Sequence, residues 1–493
     1  MSKKSQPDLL EVFTSEGIDK DRVYYLSKQG KIRKIAPMLY TTDMVDDIDG
    51  IVRRNLWRVV GLLYPRAVVS ERTGVEMKIA GDGSLFVISD KKRPTSIGGI
   101  TIRPKKGGAP QSTDMPFMEN LFMASPARLV LENVVQSRVV NGVSRGLTRT
   151  ELEEYLDKII KEKGEDAINK IRNAARELAP KLGLQKEFEI LNKVISMLLQ
   201  THEGKMESKV GLARSQGFPF DSYRVELFAK LYAELERTAP TFRHGSTSKT
   251  LAFFEAYFSN FIEGTKFAID EAQDIIFKDI VPHNRPEDAR DIKGTFDIVS
   301  NDREMNRKPK TFDDFMEILQ SRHKILMGGR PDKKPGIIKE HANQAGSTLF
   351  VAPELVIGTF KQGFEIYKKL TTPFSKAVFM MFLIAEVHPF NDGNGRIGRI
   401  MMNAELVSSG EQRIIIPTIY RNNYISALKG ISQNAITEPI IRTLDFAQKY
   451  TGAIDWNSFD YALDSLSKTR AFVDQNEADE GGVRLILPSK IID

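Results

Sequence analysis

The chain has 493 residues, of which 41% are hydrophobic and 28% charged, a composition typical of a soluble globular protein with about two to four domains. It contains no cysteine, which excludes disulfides, thiolate metal sites and thiol catalysis. Residues 1–5 carry no apolar run behind them, and the most apolar segment, residues 377–387, is too short to cross a bilayer. We therefore expect a cytoplasmic protein without a membrane partner.

The net charge of +6 is concentrated at the N-terminus. Residues 1–106 contain 20 Lys and Arg against 13 Asp and Glu, whereas the remaining 51 of the 71 basic residues nearly cancel the remaining 52 of the 65 acidic residues. A basic module of this kind favours a phosphate backbone as its partner. A solvated basic surface without such a partner accounts for the same charge.

The first hundred residues predict short helices and strands. Asp19 is the expected N-cap of a helix that Gly30 ends. The predicted elements, in chain order, are a helix over residues 8–13, a helix over 22–29, an extended segment over 32–40, a helix over 51–63, and strands at 68–70 and 85–88. Helix, turn, helix and a basic β-ribbon together predict a winged helix-turn-helix.

Two segments of this region, residues 30–40 and 55–70, are similar to the N-terminal region of AbiE-type antitoxins. The resemblance covers roughly residues 5–200 and implies a DNA-binding winged helix followed by a helical domain. It implies phosphate contacts by Lys31, Arg33 and Lys34. A wing that binds protein instead of DNA is the open alternative.

Helical periodicity dominates the rest of the chain. After a Gly- and Pro-containing loop at residues 107–114, helices are predicted over 126–138 and 148–199, and again almost continuously over 223–451. The predicted domains are a winged-helix-like module over 1–106, a helical middle domain over 107–215, a larger helical domain over 216–455 and a C-terminal extension over 456–493.

The most informative segment is His388-Pro389-Phe390-Asn391-Asp392-Gly393-Asn394-Gly395-Arg396-Ile397-Gly398-Arg399. It follows an apolar run of helical length, which the residue before a proline should end. Asn391 or Asp392 can cap a second helix, and Gly393 and Gly395 let a ligand approach its first amides, which form an anion site.

The side chains of this segment suit phosphate chemistry. Arg396 and Arg399, three residues apart, share one helix face and can hold two phosphates. Asp392 can bind a hard cation such as Mg²⁺, and His388 is the natural general base for a protein hydroxyl. The same glycines also fit a dinucleotide-binding turn, but that turn needs a preceding strand, and the preceding run here is helical.

The twelve residues match, without a departure, the signature of Fic-domain proteins, His-Pro-Phe-x-Asp/Glu-Gly-Asn-Gly-Arg-x-x-Arg. The resemblance covers about residues 223–451. It implies an all-helical Fic domain with a short β-hairpin flap near residues 335–353. With the α+β winged helix-turn-helix and the helical middle domain expected before it, the whole chain is predicted to be mainly α. The resemblance also implies AMPylation, in which AMP passes from ATP to a Ser, Thr or Tyr hydroxyl of a target protein. A few relatives transfer UMP, phosphate or phosphocholine.

Site residues follow from the motif positions of the family. The resemblance implies His388 as the base, Asp392 as the Mg²⁺ ligand, Gly393, Asn394 and Gly395 as the anion hole, Arg396 and Arg399 as phosphate ligands with Arg399 at the γ-phosphate, and Tyr424 against the adenine. His323 is expected to be structural, Lys339 stands where relatives often have arginine, and Ser432 where many have asparagine. The implied partners are ATP, a hydroxyl-bearing target protein, DNA at the N-terminal module, and a second copy in a homodimer.

A second motif, residues 259–264, resembles the family's inhibitory signature, Ser/Thr-x-x-x-Glu-Gly/Asn. It ends a predicted helix over 248–264 whose apolar stripe is Phe254, Tyr257, Phe258 and Phe261. The resemblance implies autoinhibition by Ser259 and Glu263, with Glu263 paired to Arg399 at the γ-phosphate site. In some relatives the equivalent glutamate positions water for AMP removal, and both roles stay open. A DNA-binding regulator whose Fic domain senses nucleotide is the alternative for the whole chain.

Overall fold

The structure is a computed structural model that describes residues 9–16, 18–346 and 348–488. The chain divides into two compact units, and the boundary lies between Gly217 and Phe218. The finer division into four domains stays a prediction.

The described residues of the first unit form two β-sheets. One is three-stranded and antiparallel, in the order β1-β3-β2. The other is a mixed six-stranded sheet in the order β6-β7-β5-β4-β9-β8, with β5 parallel to β7 and β4 parallel to β9. The strands are β1 Val12–Thr14, β2 Arg33–Ala36, β3 Leu39–Thr41, β4 Val68–Val69, β5 Ser84–Ile88, β6 Thr95–Ile97, β7 Ile100–Lys105, β8 Met115–Pro116 and β9 Phe122–Met123.

Helices complete this unit. The longest, α6, begins with a reciprocal capping box between Thr148 and Glu151 and is interrupted at Gly164, whose φ of +80° is not helical. The helices are α1 Lys20–Lys28, α2 Ile48–Arg54, α3 Leu56–Leu63, α4 Glu71–Glu76, α5 Pro126–Asn133, α6 Arg149–Leu182, α7 Gln185–Leu198 and α8 Lys209–Ser215.

The structure confirms some of the predictions made for the N-terminal region and contradicts others. Asp19 caps α1, as predicted, because its side chain accepts a hydrogen bond from the Asp21 N–H. The helix over 8–13 is wrong: Val12–Thr14 is a strand that pairs with β3, while Asp8 lies outside the described residues. The single helix over 51–63 is two helices, because Asn55 leaves the α conformation between α2 and α3. The unit is α+β, and its winged-helix arrangement stays a prediction.

Arg33 does not fit its expected role as a phosphate contact. Its Nε donates to the carbonyl oxygen of Asp43 at 2.9 Å, and its Nη2 donates to the carbonyl oxygen of Asp46. The guanidinium is therefore committed to the loop that follows β3. Lys31 and Lys34 remain exposed to solvent.

The described residues of the second unit are helical apart from one β-hairpin. Strands β10 Gln344–Ala345 and β11 Thr348–Leu349 pair antiparallel, which confirms a β-hairpin in the region predicted for the flap. The helices are α9 Ser222–Arg237, α10 Lys249–Ile262, α11 Ile269–Lys278, α12 Pro286–Val299, α13 Asp302–Met305, α14 Phe312–Leu326, α15 Val356–Tyr367, α16 Pro373–Val387, α17 Asn394–Val407, α18 Arg421–Asn434, α19 Glu438–Ala453, α20 Phe459–Lys468 and α21 Gln475–Gly481.

Helix α16 is the central element of this unit. It is apolar on all sides and almost every one of its residues is buried, as expected of a helix enclosed by others. Helix α17 packs along it, and Phe390 in the turn between the two and Asn394 at the start of α17 are buried in the core. Within the described ranges, none of the helices combines the length and the apolar composition needed to span a bilayer.

Candidate active site

The turn between α16 and α17 is tight because two residues take left-handed conformations. Helix α16 ends at His388, with φ +53°, and the following proline prevents its continuation. Helix α17 begins after Gly393, whose φ of +76° makes it the N-cap. The expected cap by Asn391 or Asp392 is wrong. The Asp392 carboxylate instead accepts from the N–H of the next residue, Gly393, at 2.6 Å.

Asn394 ties the turn together through its side chain. Its Oδ1 accepts from the Phe390 N–H at 2.9 Å, and its Nδ2 donates to the Phe390 carbonyl at 2.8 Å. Phe390 is fully buried and stacks on His323 at 3.6 Å. The side chain of Asn394 is therefore occupied within the loop, which leaves its backbone amide as the group that can serve an anion hole.

His323 is held at both ring nitrogens. Nδ1 accepts from the Gly336 N–H at 2.9 Å, so Nε2 carries the proton and donates to the Asp392 carbonyl at 2.9 Å. Burial lowers the pKa of His323 to about 4, which keeps the ring neutral. This fits the structural role expected of it.

His388 is held at one ring nitrogen. Its Nδ1 lies 3.1 Å from the Ala385 carbonyl, to which only an N–H can donate, so Nε2 is left as the unprotonated nitrogen. Burial, assisted by the charge of Lys339, lowers the pKa of His388 to about 4. The imidazole is neutral near pH 7 and can accept a proton at Nε2. One ring face is covered by Phe350, stacked at 3.7 Å.

A cavity of about 210 Å³ lies beside this imidazole. One end is charged and the other largely apolar, the division that a nucleotide requires. Its lining residues are Glu263, Ala345, Thr348, Phe350, Ala385, Glu386, His388, Gly395, Arg399, Tyr424, Ile425, Leu428, Lys429 and Ser432.

Arg399 forms the charged end together with Glu263. Arg399 Nη2 lies 2.7 Å from Glu263 Oε1, and its Nε donates to Ser259 Oγ at 3.0 Å. The Glu263 side chain keeps 34% of its surface exposed because it faces the cavity. Although desolvation opposes ionisation, the charge of Arg399 and its hydrogen bond keep the pKa of Glu263 below its ordinary value. The expected pair of Glu263 and Arg399 is thus present.

The Glu263 carboxylate also lies at the N-terminus of α17. A Cβ added at Gly395 would stand 2.3 Å from Glu263 Oε1, so only glycine leaves room for the carboxylate there. Gly395 is in the first turn of α17, where backbone N–H groups have no intrahelical acceptor and favour an anion. The protein's own carboxylate therefore lies where that anion would bind.

The helix that carries Glu263 is α10. Phe254, Tyr257 and Phe258 are buried as expected, but Phe261 is only partly buried and contacts the ammonium of Lys266. The predicted stripe is therefore correct for its first three members. Glu263 is the C-cap, and Gly264 follows with φ +99°.

Arg396 is placed differently from Arg399. Its side chain is 4% exposed, and Nη1 lies 2.7 Å from Oδ2 of the buried Asp291 on α12. Its Nη2 lies 3.7 Å from Asp392 Oδ1. The two motif arginines thus leave the same helix face but reach different partners, and only Arg399 lines the cavity.

Asp392 can hold a cation. Its side chain is 42% exposed, and one carboxylate oxygen is left beyond the bond from Gly393. Mg²⁺ is often bound by one or two carboxylates plus substrate phosphates, and a single exposed carboxylate fits that mode. Among the described residues, no group of three or more His, Cys, Asp or Glu side chains forms a complete protein cage.

Tyr424 and Ser432, the residues expected near the adenine, both line the cavity. Tyr424 is buried, its ring lies under the Arg399 guanidinium at 5.9 Å, and its hydroxyl contacts Met381 Sδ. Ser432 donates to Glu386, whose other oxygen lies 2.6 Å from Arg224 Nη1. Tyr424 is thus closer to the charged end than a base-stacking residue needs to be.

Sequence reasoning missed Glu386, Arg224, Asn343 and Phe350. An acidic residue inside the apolar run before the motif was a visible signal for Glu386. Arg224 was not visible, because it reaches Glu386 from a helix more than a hundred residues earlier.

Comparison with known proteins matches residues 313–406 to the Fic/DOC family. A Fido domain-containing protein of Dictyostelium discoideum is 32% identical over 99 residues, which are 19% of this chain and 69% of that protein. Protein adenylyltransferase fic-1 of Caenorhabditis elegans is 26% identical over 157 residues, 30% of either chain. A solved structure of Fic-1 from C. elegans aligns with 66% of this chain and 90% of its own, at 15% identity and a TM-score of 0.35.

Proposed function

This chain belongs to the Fic/DOC family, and we propose that its second unit is a protein adenylyltransferase that Glu263 holds inactive. The observation that carries the proposal is the cavity that His388 and Arg399 share beside the N-terminus of α17. ATP would bind there, with its triphosphate against the first amides of α17 and the Arg399 guanidinium. The target would be a protein that presents a Ser, Thr or Tyr hydroxyl.

The proposed chemistry is a displacement at the α-phosphate. The target hydroxyl oxygen attacks the α-phosphorus, His388 Nε2 takes the hydroxyl proton, and the bond from the α-phosphorus to the bridging oxygen breaks. The products are an AMP ester and pyrophosphate. The Nδ1 contact with Ala385 supports this role, because it fixes the tautomer whose free nitrogen accepts the proton. Arg399 offsets charge on the leaving pyrophosphate.

Asp392 would hold Mg²⁺ beside the phosphates. When bound, this ion supplies positive charge that lowers the cost of the developing negative charge. The chain contributes the exposed carboxylate of Asp392 in the α16–α17 turn. One oxygen of this carboxylate accepts from the Gly393 N–H, which fixes its orientation. Arg396 would contribute through Nη2, on the side that faces Asp392.

The proposed inhibition follows from competition for one place. The Glu263 carboxylate lies against Gly395 and pairs with Arg399, the two groups that the γ-phosphate would need. A triphosphate that cannot reach them binds in an unproductive pose. Ser259 supports the same arrangement, because both its hydroxyl and its carbonyl accept from Arg399.

Intact-mass analysis of the Glu263→Gly protein, after incubation with Mg²⁺ and separate nucleotide donors, tests the proposal. We expect a mass gain of one AMP from ATP and none in the matched His388→Ala, Glu263→Gly protein. A gain from another donor would change the transferred group. If no donor gave a gain, the transferase proposal would be wrong. Faster AMP removal by the unmodified chain than by Glu263→Gly would favour the AMP-removing role.

A second proposal concerns the first unit, where Lys31, just before β2, and Lys34, within β2, are exposed in the basic N-terminal region. We propose that this surface binds DNA. Binding to duplex DNA should then weaken steeply as salt is raised, and more so than for a Lys31→Ala, Lys34→Ala variant. A salt dependence identical in the two proteins would exclude these lysines.

A further inference from the structure

The flap contacts the turn between α16 and α17 through Lys339, Asn343 and Phe350, which we call the flap stem. The Lys339 backbone N–H donates to the Pro389 carbonyl at 2.8 Å. The Asn343 side-chain amide donates to two further carbonyls of the turn, that of His388 at 3.3 Å and that of Phe390 at 3.0 Å. Three successive carbonyls, from residue 388 to residue 390, are thus held by the stem.

The stem is also tied to itself. Lys339 Nζ donates to Asn343 Oδ1 at 2.6 Å, which fixes the orientation of the amide that donates to the turn. The Phe350 N–H donates to the Asn343 carbonyl at 3.1 Å, so the two ends of the hairpin meet there. Lys339 is 3% exposed. A buried ammonium needs acceptors, and the stem and the Val387 carbonyl, at 3.5 Å, provide them.

The backbone that the stem holds is unfavourable on its own. His388 has φ +53°, a left-handed conformation that a residue with a Cβ rarely adopts without external support. In this conformation the imidazole Nδ1 lies 3.1 Å from the Ala385 carbonyl, a contact that orients the ring. Phe350 covers one face of the same imidazole.

We propose that Lys339 and Asn343 are positioning residues that hold the His388 backbone in its left-handed conformation and thereby aim Nε2 at the cavity. A segment outside the helical core then sets the direction of the base. The inference rests on the proposed role of His388, but it concerns Lys339 and Asn343, which take no part in the proposed proton transfer.

The charge of Lys339 gives the proposal a readout that packing alone does not move. The charged groups that act on the His388 imidazole are Lys339 on the flap stem, Glu263 at the end of α10 and Asp392 in the turn. Burial and Lys339 lower the pKa of His388, whereas the two carboxylates raise it. Loss of the lysine charge should therefore raise that pKa.

The first test is Asn343→Ala in the active Glu263→Gly background. We expect the rate at saturating ATP to fall by about 10- to 100-fold, because misdirection of a catalytic group costs rate rather than affinity. The dissociation constant for ATP should stay within about twofold. The matched control is Gln344→Ala, an exposed neighbour in β10 that should leave both quantities unchanged. A rate within twofold of the parent would overturn the proposal.

The second test compares Lys339→Met with Lys339→Arg. Titration of ¹³C-labelled histidine by NMR, with His388 assigned from His388→Gln, should show its pKa raised by about half a unit or more in Lys339→Met and nearly unchanged in Lys339→Arg. The acid limb of the rate profile should move in the same direction. An unmoved pKa together with an unchanged rate in Lys339→Met would refute the positioning role of the Lys339 side chain.

The two proposals can fail separately. If the Glu263→Gly parent transfers no nucleotide, the transferase proposal fails, while the histidine titration without nucleotide still decides the contact between flap stem and base. If the parent is active and both stem variants match it in rate and in pKa, only the positioning proposal fails. Thermal unfolding of each variant separates a lost fold from a misdirected base.

Discussion

Two histidines of the second unit have nearly the same surroundings and different possibilities. His323 stacks on Phe390 at 3.6 Å and His388 stacks on Phe350 at 3.7 Å, both with almost parallel rings. Burial lowers the pKa of each to about 4. They differ in their hydrogen bonds: among the described residues, His323 accepts at Nδ1 and donates at Nε2, whereas His388 donates at Nδ1 and leaves Nε2 free.

This contrast shows which property identifies a base. A lowered pKa and an aromatic neighbour are shared by both rings, so neither distinguishes them. The unoccupied nitrogen beside a cavity does, because a proton acceptor needs a free lone pair within reach of its substrate.

The largest expected effect comes from removal of the free ring nitrogen of His388. His388→Ala in the Glu263→Gly background should lower transfer of labelled AMP by about 1,000-fold, within the range expected for a lost general base. Its melting temperature should fall only slightly, because the lost contacts are one hydrogen bond, to the Ala385 carbonyl, and one ring stack, on Phe350. Transfer that survived within tenfold would contradict the assignment of His388.

The same change at the other ring should act on stability. His323→Ala removes a fully buried ring and leaves the Gly336 N–H and the Asp392 carbonyl without partners, at a cost of about 4 kcal/mol. Urea unfolding measures this difference. Lys324→Ala, at the exposed neighbouring position, is the control and should be nearly neutral. A loss below about 1 kcal/mol would mean that His323 does not support the turn.

Acid should destabilise the folded protein through His323, which is buried and neutral in the fold but becomes protonated in the unfolded chain. The folded pKa of His323, about 4, lies below the ordinary value of 6.5, so between these values the unfolded state binds more protons. Stability is therefore complete above pH 6.5 and falls as the pH falls towards 4, with His323 contributing about 3 kcal/mol of the loss. In His323→Asn the loss over this window, followed by urea unfolding, should be smaller by about that amount. Equal slopes would contradict the prediction.

The two phenylalanines give the smallest and most direct contrast. Phe390 is fully buried and Phe350 only partly, so Phe390→Leu should cost about 1 kcal/mol and Phe350→Leu less than about 0.5 kcal/mol. The order should reverse for the transfer rate normalised to folded protein, because Phe350 stacks on His388, the proposed base. Equal effects of the two substitutions on both quantities would remove the distinction.

The sequence predicts what local rules determine. The end of α16 follows from Pro389, and the start of α1 from Asp19, because each depends on neighbours within a turn. The N-cap of α17 was missed because the Asn394 side chain turns back to Phe390, a choice made by the folded loop.

Long-range partners could not be predicted in this way. Asp291 holds Arg396, and Asn343 reaches the His388 carbonyl, only after distant segments have packed together. The contact between Glu263 and Arg399 was expected from family resemblance, since no rule of periodicity or spacing joins residues so far apart. Arg33 shows the opposite error, in which a basic residue suited to a phosphate is used by its own loop.

The position of Glu263 at the very end of α10 has a consequence for switching. The rings of Phe254 and Phe258 anchor that helix in the core, so moving it as a body would open packed hydrocarbon to water. The carboxylate itself can leave Arg399 by rotation about its own side-chain bonds, next to a glycine that permits wide backbone freedom. The site should then open on the timescale of side-chain rotamer exchange, without any refolding of α10.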